Sequence, residues 1–199
     1  PVVILNTAIT TDEPIWETFV ACENWEVGRA CGEALAEKMG HKGKVILIEG
    51  VVGAQNSIDR TGGAREAIEQ YPDMEIVASQ PGEMNRAKAM EVMQNLLQAY
   101  PDVQGVYAIN DEMALGCVEA IAAAGKEGQI VVGGCDGNAD ARTAIKEGKL
   151  TFSCDLDPFD QGYQAVAAAA RIVDGEEVEE RIVTNMLIID ESNVDQTIE

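Results

Sequence analysis

Short apolar runs that stop at a polar or glycine turn, each followed at once by a helical pattern, recur along the whole chain. This punctuation limits the fold more than any other feature. The clearest case is Val103-Gln-Gly-Val-Tyr-Ala-Ile-Asn110-Asp111-Glu-Met-Ala-Leu-Gly116. A run rich in β-branched and aromatic residues ends at Asn110-Asp111, and a helical pattern with Met113, Leu115, Val118 and Ile121 apolar follows at once. Asp111 is expected to cap that helix by accepting from its free N–H groups, which leaves Asn110 at the carboxyl end of the strand. Open α/β sheets bind ligands beyond the carboxyl ends of their strands. An Asn there offers a hydroxyl group both a donor and an acceptor. The plainer alternative is that Asn110 only shapes the turn.

The same sequence of events repeats. Ile130 to Cys135 stops at Asp136-Gly137 before a helical pattern from Ala139 to Lys146. Lys44 to Glu49 stops at Gly50, ahead of a loop and a helix to about Tyr71. Met74 to Ala78 leads to a turn at Pro81-Gly82 and a helix to about Tyr100. Pro1 to Leu5 ends at Asn6, and Phe19 to Cys22 ends at Glu23-Asn24 before a helix to about Met39. Strand alternating with helix this often argues an α/β fold of three layers, with a mainly parallel sheet covered on both faces. The strands read as continuous apolar runs, as doubly covered strands do.

At 199 residues the chain has room for one large domain or two small ones, and its 46% hydrophobic content is ample for a core. Its formal net charge is −21. That surface repels phosphate backbones and anionic bilayers, so nucleic acid is excluded as a partner of this segment, and phosphorylated ligands are disfavoured. A highly soluble surface explains the acidity without any acidic recognition patch. No apolar run reaches the length of a membrane span, and no basic leader precedes an apolar stretch. The chain starts abruptly at a strand edge, Pro1-Val2-Val3, and the expectation is that upstream sequence is missing.

Catalytic groupings are scarce. The single histidine, His41, lies in the turn-like Gly40-His-Lys-Gly43, which makes a histidine metal site or a Ser/His pair improbable. Neither a phosphate-binding Gly-Lys loop nor G-x-G-x-x-G is present. Asp136, Asp155 and Asp157 form a conceivable carboxylate pair for glycosidic chemistry, but turn-forming acceptors are the simpler reading. Five cysteines (22, 31, 117, 135 and 154) contain no C-x-x-C pair. Cys135 and Cys154 both end predicted strands, which leaves a disulfide between them open. The residues describe a binder, not an enzyme, with no cofactor and no metal.

Met93-Gln-Asn-Leu-Leu-Gln-Ala-Tyr-Pro-Asp-Val-Gln-Gly-Val-Tyr-Ala-Ile-Asn-Asp-Glu-Met-Ala-Leu-Gly116 closely resembles the type I periplasmic sugar-binding proteins, the ribose-binding-like receptors of ABC importers. Pro1-Val-Val-Ile-Leu-Asn6, Val20-Ala-Cys-Glu-Asn24, Lys44-Val-Ile-Leu-Ile-Glu-Gly50 and Val131-Val-Gly-Gly-Cys-Asp-Gly137 follow in the family's order, as does Gln161-Gly-Tyr163. The resemblance implies two α/β lobes joined by a hinge of three crossings, with a sugar held between them. On that plan residues 1–23 are a remnant of the first lobe and 24–156 the complete second lobe. Residues 157–185 return to the first lobe, and 186–199 run back toward the second.

The resemblance also implies site residues. Asn110 and Asp136 keep the second-lobe Asn and Asp of the ribose-binding pattern. Asn6 stands where that pattern has Asp, Ile58 where it has Arg, Met84 where it has a stacking aromatic, and Leu156 where it has Gln. These exchanges argue against ribose and for a less hydroxylated or partly apolar ligand, since an Arg fork has no isostere here. Arg60 is kept but has a structural place in the family. Trp25, after the strand ending at Asn24, is a further candidate to line the cleft, while Phe159 is expected to pack beside the last crossing. The implied function is a solute-binding component of an ABC importer. It captures a small neutral sugar or polyol by hinge closure and passes it to a membrane permease, as a periplasmic protein or extracellular lipoprotein. The alternative is the effector domain of a cytoplasmic lactose-repressor-type regulator, which shares the fold. With one wall of the cleft intact, the chain alone is expected to bind sugar weakly or not at all and to self-associate.

Overall fold

The computed structural model describes residues 1–196 apart from 8, 10, 12 and 14. The expected span 186–199 therefore ends outside the described residues. Strands β1 (Val3–Leu5), β2 (Thr18–Ala21) and β8 (Arg181–Val183) form a parallel three-stranded sheet in the order β1-β2-β8. A six-stranded sheet contains β3 (Gly43–Glu49), β4 (Met74–Pro81), β5 (Gly105–Ala108), β6 (Val131–Asp136), β7 (Phe152–Asp155) and β9 (Leu187–Asp190). Its order is β4-β3-β5-β6-β7-β9, and only β9 runs antiparallel, against β7. The helices are α1 (Asn24–Lys38), α2 (Gln55–Glu69), α3 (Arg86–Ala99), α4 (Asp111–Ala123), α5 (Ala139–Lys146) and α6 (Pro158–Val173).

The larger unit is a three-layer, mainly parallel α/β fold. Helices α1 and α2 pack together over one face of the sheet, while α3, α4 and α5 cover the other. Double cover explains why Val45, Ile46, Leu47 and Ile48 are all fully buried without alternating. From β3 the chain steps outward to β4 and then crosses back to β5 on the opposite face. The switch point therefore lies between the carboxyl ends of β3 and β5, where this topology opens a crevice.

Small residues set the distance between α1 and α2. A β-carbon at Gly28 would lie 2.1 Å from the Arg60 carbonyl oxygen, and one at Gly63 would lie 2.1 Å from that of Trp25. The two helices thus touch backbone to backbone, and no side chain larger than hydrogen fits at either point.

The smaller unit is less well covered. Helix α6 packs on β1 and β2, while β1 and β8 are edge strands. Phe159 was expected to pack, but it is 84% exposed, and Tyr163, Val166 and Val173 on the same helix are also exposed. The difference arises because α6 offers a second apolar face that no described residue covers.

Two outcomes follow. Gly28→Ala should destabilise the chain by about 1–3 kcal/mol through overpacking. Gly162→Ala, in α6 with open space around it, should stabilise it by about 0.5–1 kcal/mol through helix propensity; urea unfolding of both variants checks the contrast. Self-association should increase with ionic strength, because salt screens the acidic repulsion while open edges and apolar faces remain available. Sedimentation velocity at low and high salt reads this directly, and a salt-independent monomer would contradict it.

Candidate functional site

The carboxyl ends of β3, β5 and β6 converge at the switch point, and each is closed differently. After β3, the Gly50 N–H donates to Ser57 Oγ at 2.9 Å, which folds the loop back onto the start of α2. After β5, Asn110 holds an extended backbone and its Oδ1 accepts from the Met113 N–H at 2.9 Å. Asn110, not Asp111, is therefore the cap of α4. Its Oδ1 is occupied, and Nδ2 is left without a partner among the described residues.

Asp111 does other work. It is fully buried inside the first turn, where its carboxylate accepts from Ser153 Oγ at 2.6 Å and from the Asn138 N–H at 2.9 Å. It thereby ties α4 to β7 and to the start of α5, which Asn138 caps through the Ala141 N–H. Burial pushes the Asp111 carboxyl up to about 7, against the lowering effect of its Ser153 and Asn138 hydrogen bonds.

Asp136 ends β6 with φ 122°, in the left-handed half of backbone space, and its side chain is 40% exposed. Tyr107 on β5 pairs with Gly133 on β6, so the ends of the two strands that lead to Asn110 and Asp136 are neighbours. Beneath them lies Arg60 from α2, which is 2% exposed. Its Nε donates to Asn24 Oδ1 at 2.8 Å, and its Nη1 donates to the Ile109 carbonyl at 3.0 Å and to Asp136 Oδ1 at 3.2 Å. Asn24 Nδ2 in turn donates to the Asn6 carbonyl at 3.1 Å. Asn6, Asn24, Arg60 and Asp136 are thus joined in one chain of contacts.

The other candidates separate into groups. Met84, with φ 54°, folds its thioether over Gly50 beside Ile109, at the same end of the sheet. Ile58 is 53% exposed on α2 and shares a shallow recess with Glu49, Val52 and Ser57. Leu156 does not join them. Its side chain is packed in the core at 4% exposure, and only its carbonyl is used, accepting from Gln161 Nε2 at 2.8 Å. Trp25 lays its ring over Gly62 and donates from Nε1 to Glu66 at 3.2 Å, so its indole is turned onto α2.

Asp155 and Asp157 act as acceptors. Asp155 pairs with Arg142 and accepts from the Asp157 N–H, and Asp157 caps α6 through the Asp160 N–H. Cys135 and Cys154 stand opposite each other on β6 and β7, but all five cysteines are free and buried. Sequence reasoning missed Asn24. An Asn that opens a helix reads as a local cap, whereas this one bonds to residues 36 and 18 positions away.

A family model described as a periplasmic binding protein domain matches residues 1–177. The ribose import binding protein RbsB of Salmonella typhimurium is 35% identical over 189 residues, which is 95% of this chain and 62% of that protein. The D-allose-binding periplasmic protein of Escherichia coli is 37% identical over 147 residues, 73% of this chain and 47% of that protein. This chain thus spans less than two thirds of the length of either relative. A crystal structure of an ABC transporter solute binding protein from Bacillus halodurans with bound myo-inositol matches with a TM-score of 0.92 at 31% identity. That match covers 98% of this chain and 67% of the other.

The buried Asp111 gives a pH dependence of defined sign. With its carboxyl raised to about 7, the folded chain keeps a proton that the unfolded chain, at about 3.9, has already lost. Unfolding free energy should therefore fall as pH rises from about 4 through about 7. Asp111→Asn can still face Asn138 with its oxygen and Ser153 with its amide. The stability of wild type relative to this variant, from urea midpoints across that range, should decline with pH; a flat difference would contradict it.

Proposed function

The chain belongs to the periplasmic binding protein family, and on that premise we propose that it serves as the solute-binding part of an importer for a small neutral sugar or polyol. The observation that carries this reading is that Asn110 and Asp136 follow neighbouring parallel strands, β5 and β6, at the carboxyl edge of the sheet next to its switch point. Asn110 Nδ2 can donate to a ligand hydroxyl, and the half-open Asp136 carboxylate can accept from one. Arg60 balances the charge of Asp136, which suits a neutral ligand.

Met84 and Ile58 bring apolar surface to the same end of the sheet. Since the resemblance puts an aromatic and an arginine at these positions of the ribose-binding pattern, these side chains favour a ligand with an apolar edge over ribose itself. Asn6 would approach from the smaller sheet. In this reading ligand contacts favour a closed arrangement of two lobes about a hinge, the smaller sheet belonging to the second wall. The partner is a membrane permease of the ABC type, and the site of action is periplasmic or extracellular. Among the described residues no helix is long and apolar enough to cross a membrane. Both named relatives are import or periplasmic binding proteins, which favours transport over an effector domain of the lactose-repressor type. Binding and release, with no covalent step, is the whole proposed cycle.

NMR titration of the chain with D-ribose, D-allose, myo-inositol and xylitol tests the assignment, since it registers weak as well as tight binding. At least one of these should move the amide signals around residues 50, 110 and 136. Asn110→Ala and Asp136→Ala should each weaken that binding by about 1–3 kcal/mol, the cost of unpaired polar groups. Unchanged affinity in both variants would remove the site.

A further inference from the structure

The chain of contacts through Arg60 spans both sheets. At one end is Asp136, half open at the carboxyl edge of the larger sheet. At the other is Asn6, which follows β1 of the smaller sheet. Between them stand only Arg60, fully enclosed, and Asn24, 9% exposed. Asn24 opens α1 immediately after β2, so it sits where the chain leaves the smaller sheet for the larger unit.

Each link uses a different atom. Arg60 spends Nη1 on Asp136 and the Ile109 carbonyl, and Nε on Asn24 Oδ1. Asn24 spends Oδ1 on Arg60 and Nδ2 on the Asn6 carbonyl. A planar guanidinium holds these directions together, because turning it to follow one acceptor moves it away from the others. Asn24 behaves likewise, since its amide is a rigid plane with the acceptor on one side and the donor on the other. A shift of the Asp136 carboxylate would therefore strain the contact with Asn24 and, through it, that with Asn6.

We propose that Arg60 is a positioning residue that carries occupancy at Asp136 to the segment crossing between the two sheets, through Asn24 to the end of β1. This deepens the ligand-binding reading and rests on it for the identity of the signal. A hydroxyl that donates to Asp136 would draw on the carboxylate that Arg60 holds, and the crossing segment would register the change.

The test separates the coupling from the ligand. Amide hydrogen exchange is followed by NMR in the whole chain for wild type, Asp136→Asn, Asn24→Asp and the double variant. Asp136→Asn retains the shape and the Oδ1 acceptor but removes the counter-charge of buried Arg60, so urea unfolding is measured beside it and exchange is compared at equal distance from the unfolding midpoint. The substitution should accelerate exchange at residues 3–7 and 20–28 roughly tenfold, equivalent to about 1.4 kcal/mol. Asn24→Asp keeps the acceptor for Arg60 and loses the donor to Asn6, and because it also adds a negative charge beside Arg60, Asn24→Ser is run in parallel as the uncharged variant that cannot bridge the two. In either background Asp136→Asn should have no further effect at residues 3–7, while still changing residues around 109 and 136. A merely structural Arg60 predicts additive effects in the double variant, or changes confined to the larger sheet; either result overturns the proposal. Arg60→Lys serves as a second probe. It keeps the charge but not the fork, and it should likewise uncouple residues 3–7 from Asp136→Asn. Addition of myo-inositol or D-allose provides the separate arm. If neither sugar binds, the ligand reading fails for these sugars, while the coupling stands or falls on the exchange data from the unliganded chain.

Discussion

One buried guanidinium organises the carboxyl edge of the larger sheet. Removing a charge from water costs several kcal/mol unless each donor finds an acceptor and a counter-charge is near. Arg60 meets the requirement at Nε and Nη1, with an amide oxygen, a backbone carbonyl and one carboxylate, and has no partner at Nη2 among the described residues. These acceptors come from the start of α1, from the residue after β5 and from the end of β6. Satisfying Arg60 therefore fixes three pieces of chain relative to α2. A lysine could not do the same, since a point charge on a flexible stem has no fixed fork.

The burial of Arg60 depends in turn on the packing of α1 on α2. Gly28 meets the backbone of Arg60 itself. A larger residue there would push α1 outward and carry Asn24, four residues earlier on the same helix, away from the guanidinium. Helix packing, the satisfaction of a buried charge and the placing of Asp136 are thus one constraint. The second support lies on the opposite face of the sheet. There Asp111 binds Ser153 and the Asn138 N–H, which locks the start of α4 to β7 and α5. Between these two supports the loops that carry Asn110 and Asp136 have little freedom. A binding site needs that rigidity if few polar groups are to choose a ligand.

The charge distribution fits the same picture. The chain carries a formal net charge of −21, yet the switch point holds a matched pair, Arg60 and Asp136. Most other ion pairs lie on half-exposed helix surfaces, such as Arg29 with Glu26 and Glu33, where each is worth little. Long-range acidity keeps the surface soluble and repels anions. The smaller sheet is organised differently. Its α6 has one face on β1 and β2 and a second apolar face in solvent, so its stability rests on far less buried area than that of the larger unit.

The alternation of apolar runs with helical patterns determined the fold class, because double cover makes parallel strands continuously apolar and forces a helix between them. The order of events in the chain likewise placed Asn110 and Asp136 at strand ends, since carboxyl termini of strands can be read from where the run stops. Local competition was harder to read. Asn110 and Asp111 are adjacent and both able to cap, and the choice fell to Asn110 because Asp111 finds Ser153 and Asn138, which lie 42 and 27 residues away. Leu156 shares its strand-end position with the site residues but turns into the core. Trp25 turns onto α2 because Gly62 leaves room for its ring. Asn24 and Arg60 gained their roles only through tertiary contact. A sequence records which residues can make hydrogen bonds, but which partner wins depends on distances set when helices and sheet pack together.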